Sequence, residues 1–146
     1  MLKEILSIPG KPGLFKLVSQ GKNMLIVESL HDNKRIPAYT KDKVVSLGDI
    51  AIFTEDAEVP LAQVLENVKL KENGTISSID TKASNDLLRK YMSDVLPEYD
   101  RERVYPSDIR KLITWYNILV KAEMTDFLVK EEEVKETQDA TKVESV

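Results

Sequence analysis

SDIRKLITWYNILVKA, residues 107–122, reads as a helix with almost no polar face. At 3.6 residues per turn, Arg110, Thr114, Asn117 and Lys121 stack into one narrow polar spine. Leu112, Ile113, Trp115, Tyr116, Ile118, Leu119 and Val120 cover the rest, an apolar arc of about 220°, roughly twice what a surface helix needs. Such a helix must be covered on more than one side, by its own domain or by another chain. Leu112, Trp115, Tyr116 and Leu119 are therefore candidates for either the core or an oligomer interface.

Moving toward the N-terminus, a second helix starts near Ser84, a good N-cap. Its apolar stripe is Leu87, Leu88, Tyr91, Met92 and Val95, and Pro97 ends it. Residues 60–72 form another helix, with Leu61, Val64, Leu65 and Val68 at i, i+3, i+4 and i+7. Asn73-Gly74 stops it, and Thr75 to Lys82 reads as a linker, with room for a short strand at Ile76 to Ile79.

Residues 14–54 change character. Leu14 to Ser19 and Met24 to Leu30 are apolar and β-prone and flank Gln20-Gly21-Lys22-Asn23, a hairpin turn. A turn at His31 to Lys34 leads to a strand at Arg35 to Tyr39, which Pro37 marks as an edge or bulged strand. Val44 to Leu47 and Ile50 to Thr54 complete the set. Leu2 to Ile8 is ambiguous between helix and strand. The expectation is an α+β protein: an N-terminal SH3-like or Sm-like small antiparallel β barrel followed by a C-terminal helical hairpin. The divisions are a barrel over residues 1–56, a connecting helix and linker over 57–83, a helical domain over 84–127 and a disordered acidic tail over 128–146.

Cysteine is absent, which removes disulfides, thiolate catalysis and cysteine-ligated metals. The opening MLKEILSIPG has neither a long apolar run nor a small-residue cleavage site, and no stretch approaches the roughly 18 apolar residues of a membrane span. A soluble cytoplasmic protein without membrane contact is expected. Charge is uneven: residues 1–54 carry 8 Lys/Arg against 5 Asp/Glu, whereas residues 126–146 carry 3 against 7.

No constellation for catalysis or metal binding stands out, so no enzyme activity, cofactor or metal is expected. His31 is the sole histidine and sits in a predicted turn. Gly10-Lys11-Pro12-Gly13 lacks the spacing and the Ser/Thr of a phosphate loop and reads as a turn. Ser46-Leu47-Gly48-Asp49 lacks the glycine that a nucleophile elbow places two residues before its serine. Asn73-Gly74-Thr75 matches a glycosylation acceptor but reads as a helix stop. Glu98, Asp100 and Glu102 alternate with Arg101 and Arg103, the pattern of solvated ion pairs. The basic residues of the β half are the better lead: Lys22, Lys34 and Arg35, with Tyr39, could hold phosphates and stack a base, or contact a protein partner.

ILSIPGKPGLFKLVSQGKNMLIVESL (5–30), RIPAY (35–39), VSLGDIAIFT (45–54) and VLPEYDRERVYPSDIRKLITWYNIL (95–119) resemble an uncharacterised family of short cytoplasmic proteins from Bacteroidetes-type bacteria. The resemblance spans roughly residues 1–127. It implies a small N-terminal β domain and a C-terminal helical part, and it transfers no catalytic or binding residue. The expected function is a non-enzymatic protein–protein binding or assembly module, self-associating through the C-terminal helices, with an RNA-binding accessory protein as the alternative.

Overall fold

The computed structural model describes residues 2–11, 13–39 and 42–128. The acidic tail expected from residue 128 thus lies, apart from Leu128, outside the described residues. The chain opens with a 3-10 turn, Leu2–Glu4, and then runs through β1 (Ile5–Ser7), β2 (Phe15–Gly21), β3 (Met24–Ser29), β4 (Arg35–Tyr39) and β5 (Val45–Ser46). A second 3-10 turn, Leu47–Asp49, leads to β6 (Ala51–Phe53) and β7 (Glu58–Pro60). Three helices follow: α1 (Leu61–Glu72), α2 (Asn85–Val95) and α3 (Pro106–Lys121).

The first five strands form one antiparallel sheet in the order β4-β3-β2-β1-β5. Gly21 pairs with Met24, so the β2–β3 turn is tighter than expected, with Asn23 in the left-handed region at φ 62°. Pro37 lies on β4, an edge strand, where a missing N–H is tolerated. The sheet does not close: β4 and β5 are its two edges. The closed barrel expected over residues 1–56 is therefore an open sheet, for two physical reasons. β5 offers a ladder of two residues. The strand expected at Ile50 to Thr54 leaves the sheet and pairs locally, β6 against β7. Thr54 closes that hairpin: its Oγ1 donates to the Ala57 carbonyl at 2.7 Å and accepts from the Ala57 N–H at 2.9 Å.

Side chains on successive strand residues point to opposite faces, and this alternation divides the interior in two. Leu6, Phe15, Val27 and Ala38 share one face with the half-buried Leu17, Leu25 and Ile36, and form a small core of the sheet's own. Ile5, with Leu2, Leu14 and Leu47, points the other way into a larger core built by the helices. Gly48 makes the join close. A Cβ there would lie 2.9 Å from the Lys3 Cα and N, while the Ser46 hydroxyl donates to the Lys3 carbonyl at 2.8 Å.

The helices follow their stripes, with two corrections. Leu61, Val64, Leu65 and Val68 of α1 are buried as expected, and Asn73 ends the helix in the left-handed conformation. The Ser84 Oγ accepts from the Leu87 N–H and caps α2, whose buried residues are Leu88, Tyr91, Met92 and Val95. Leu87 is instead 54 % exposed, because it lies on the outer side of the first turn. In α3, Leu112, Tyr116 and Leu119 are core residues. Trp115 is only partly buried, since it borders an open hollow that it shares with residues 50–53, Leu61 and Arg103.

The polar spine of α3 has a structural task. Arg110 Nε donates to the Thr81 carbonyl at 2.7 Å, and the Asn117 side chain accepts from the Ser77 N–H and donates to Ser77 Oγ. The buried Tyr116 hydroxyl donates to the Thr75 carbonyl. The connection over residues 75–83 contains no strand and is instead tied along α3. From the other side Glu72 accepts from the N–H and hydroxyl of Ser78 and from the Tyr91 hydroxyl.

Candidate binding cleft

Three separate pieces of chain line one hollow beside the end of α3. The first is the β3–β4 turn, which is built from local bonds. Asn33 adopts φ 61° and donates its N–H to the Ser29 carbonyl. The His31 N–H donates to Ser29 Oγ and the Lys34 N–H to Asp32 Oδ1 at 3.0 Å. That backbone bond is the largest of the effects that hold the Asp32 carboxyl below its ordinary value. The second piece is the Gly10–Gly13 loop, turned by two glycines at φ 85° and 84°. The third is the last turn of α3, carrying Ile118 and Lys121.

Between them lies a half-open cleft of about 790 Å³, within the usual range for ligand sites. Its apolar lining is Leu14, Phe15, Leu30, Ile36 and Ile118; its polar lining includes Lys11, Lys34, Lys121, His31 and Asp32. A smaller hollow of about 280 Å³ sits beside Trp115, lined by residues 50–53 and Arg103. Arg103 is occupied there: its guanidinium lies over the Phe53 ring and pairs with Asp100 at 2.9 Å.

The residues singled out by sequence are not brought together. Lys34 lines the cleft. Arg35 is beside it but is paired with Glu28 at 3.1 Å. Lys22 and Tyr39 are at the opposite end of the sheet, since Met24 pairs with both Gly21 and Tyr39. The length of β4 separates the two ends by about 13 Å at 3.3 Å per residue. Lys11 and Lys121, which sequence reasoning assigned to a turn and to the polar spine, are the residues that join Lys34. Nothing in their spacing signals this, because only the tertiary fold brings the three pieces of chain to one hollow.

Asp100 accepts the N–H groups of Glu102 and Arg103 and the Arg103 side chain, led by the Glu102 bond, and these keep its carboxyl low. Among the described residues no group of three or more His, Asp or Glu converges as a metal site. Nor is any helix among them long and apolar enough to cross a membrane.

Comparison with known proteins divides the chain at the same place as the fold. Residues 2–47 match one family model, Domain of unknown function (DUF5606), and residues 50–119 match another, Domain of unknown function (DUF6852). A solution NMR structure from Bacteroides vulgatus, a structural-genomics target, is 62% identical, with a TM-score of 0.74 over 87% of this chain and 91% of that one. No curated protein matches. The chain belongs to this uncharacterised Bacteroidetes family. The cleft draws Lys11 to Ile36 from the first matched stretch and Ile118 from the second.

Proposed function

We propose that this protein is a non-enzymatic, cytoplasmic binding module that docks a protein partner in the cleft between the sheet and α3. The observation that carries the reading is the cleft itself: an apolar lining framed by cationic side chains, placed where two units meet, as binding sites commonly are. We read the sheet as an open SH3-like fold, whose turns present the site while the strands hold it. Self-association through α3 has less support, because the helical core, the β6–β7 hairpin and the 75–83 connection take up much of its wide apolar arc. The RNA alternative has less support as well, since Lys22 and Tyr39 lie away from Lys34 and Arg35 is paired.

Affinity capture from cell extract, with and without nuclease, tests the proposal. The bait is the native chain, a Lys34→Glu/Lys121→Glu variant, or Lys22→Glu as control. One protein should be retained after nuclease by the native chain and by Lys22→Glu, and lost from the double variant. A catch that nuclease removes, or one that the double variant keeps, would defeat it.

A further inference from the structure

Resting on that reading, we infer that the cleft takes an acidic segment of the partner that also carries large apolar side chains. The charge at the cleft is answered only in part, by Asp32, on which the Lys34 charge acts. Lys71, Arg35, Arg89 and Arg103 each have a carboxylate partner within 4 Å. Among the described residues none of the ammonium groups of Lys11, Lys34 and Lys121 has one. The three come from three different pieces of chain and line one concavity, so an extended acidic segment lying in it passes more than one of them.

The acids nearby do not cancel this. The Asp32 carboxylate lines the same cleft and accepts the Lys34 N–H. One carboxylate against three ammonium groups leaves a positive excess. The negative end of the α3 dipole is also answered within the chain. The Ala122, Glu123 and Met124 N–H groups donate to the Ile118, Val120 and Leu119 carbonyls, so the last turn does not compete with an incoming acceptor.

Charge alone would fit any polyanion; the lining narrows the choice. Leu30, Ile36 and Ile118 are half-buried and present apolar surface that gains from being covered. A nucleic acid would instead look for exposed rings on which to stack its bases. Phe15 is 6 % exposed and Tyr39 is at the far end of β4, which leaves the exposed His31 as a single small ring at the cleft against an apolar lining of five side chains. A peptide alternating glutamate with leucine or phenylalanine answers both the ammonium groups and the apolar surface.

The test is fluorescence anisotropy on the full chain with labelled synthetic peptides. The probes are a ten-residue glutamate/leucine/phenylalanine peptide, the same peptide with serine for every apolar residue, its lysine counterpart and oligo(U). The acidic apolar peptide should bind, weaken with added salt, and lose about ten-fold in affinity on Lys34→Glu/Lys121→Glu, with Lys22→Glu unchanged. Amide shifts in NMR spectra should move at Lys11, Leu30 to Lys34 and Ile118 to Lys121, and stay put at Lys22 and Asn23. Equal binding of the serine peptide would overturn the apolar half of the inference. Preference for oligo(U) or for the lysine peptide would overturn it entirely. If no peptide binds while capture from extract still depends on Lys34 and Lys121, the inference fails and the docking reading stands. If both fail, both are wrong.

Discussion

In the helical half of the molecule, polar side chains reach across long stretches of sequence. Asn117 bonds to Ser77, Arg110 to Thr81, and Tyr116 to Thr75, each across at least 29 positions. In the sheet half, the turns hold themselves: Lys34 to Asp32, His31 to Ser29, Asn33 to Ser29. The larger core belongs to the first half and the smaller to the second. Distant side-chain bonds tie the helical half, whereas the turns of the sheet half are shaped locally and its edge strand is tied back by the long-range Ser46–Lys3 bond. The cleft lies along their join, where locally built turns project cations against a wall that is held from elsewhere.

The largest expected effect tests whether the halves differ in depth. Tyr116 is fully buried and hydrogen-bonded, so Tyr116→Ala should cost about 3–5 kcal/mol in urea unfolding. Val27→Ala in the sheet core removes less, about 2 kcal/mol at roughly 0.8 kcal/mol per buried CH₂ plus a cavity term. Equal losses would erase the contrast. Next comes the join. Gly48→Ala must push against backbone atoms of Lys3 at 2.9 Å, which no side-chain rotation relieves. A loss of about 1–3 kcal/mol, seen as a lower melting temperature, is expected for such overpacking.

A pH dependence sharpens the comparison on the helical side. Burial pushes the Glu72 carboxyl up, but the Ser78 N–H, the Tyr91 and Ser78 hydroxyls and the Lys71 charge together bring it below its ordinary value of 4.5. A carboxyl depressed in the folded state contributes stability above its unfolded pKa and loses it as pH falls through the folded one. The native chain should therefore lose more stability below about pH 4.5 than Glu72→Gln does, a difference read by thermal unfolding across pH. The smallest effect belongs to the sheet. The Arg35–Glu28 pair is exposed on the arginine side, and Arg35→Gln should change stability by no more than about 0.5 kcal/mol in the same assay.

The same division explains what could be read from the sequence. Period 3.6 in Leu61, Val64, Leu65 and Val68, and Pro37 on an edge strand, are local signals, and the structure follows them. The open sheet was not legible, because it turns on whether Ala51 to Phe53 pair with β5's neighbours or with the next few residues. Trp115 and Leu87 look as apolar as Tyr116 and Leu88; their exposure depends on which element faces them. The cleft was least legible of all. Of Lys22, Lys34, Arg35 and Tyr39 only Lys34 lines it, and its companions Lys11 and Lys121 meet it only after the helices have packed.

Leu2 and Phe127, near the two ends of the described chain, are buried in the same core. During synthesis the first strand therefore emerges long before the helices that will cover Ile5 and Leu14. Those side chains gain their full cover only once the helical residues of the same core have been made. The same geometry limits how the gene can be cut. A fragment ending at residue 48 would keep the sheet's own small core but strip Leu2, Ile5, Leu14 and Leu47 of their cover. Although two family models divide this chain, its two parts are obliged to travel together.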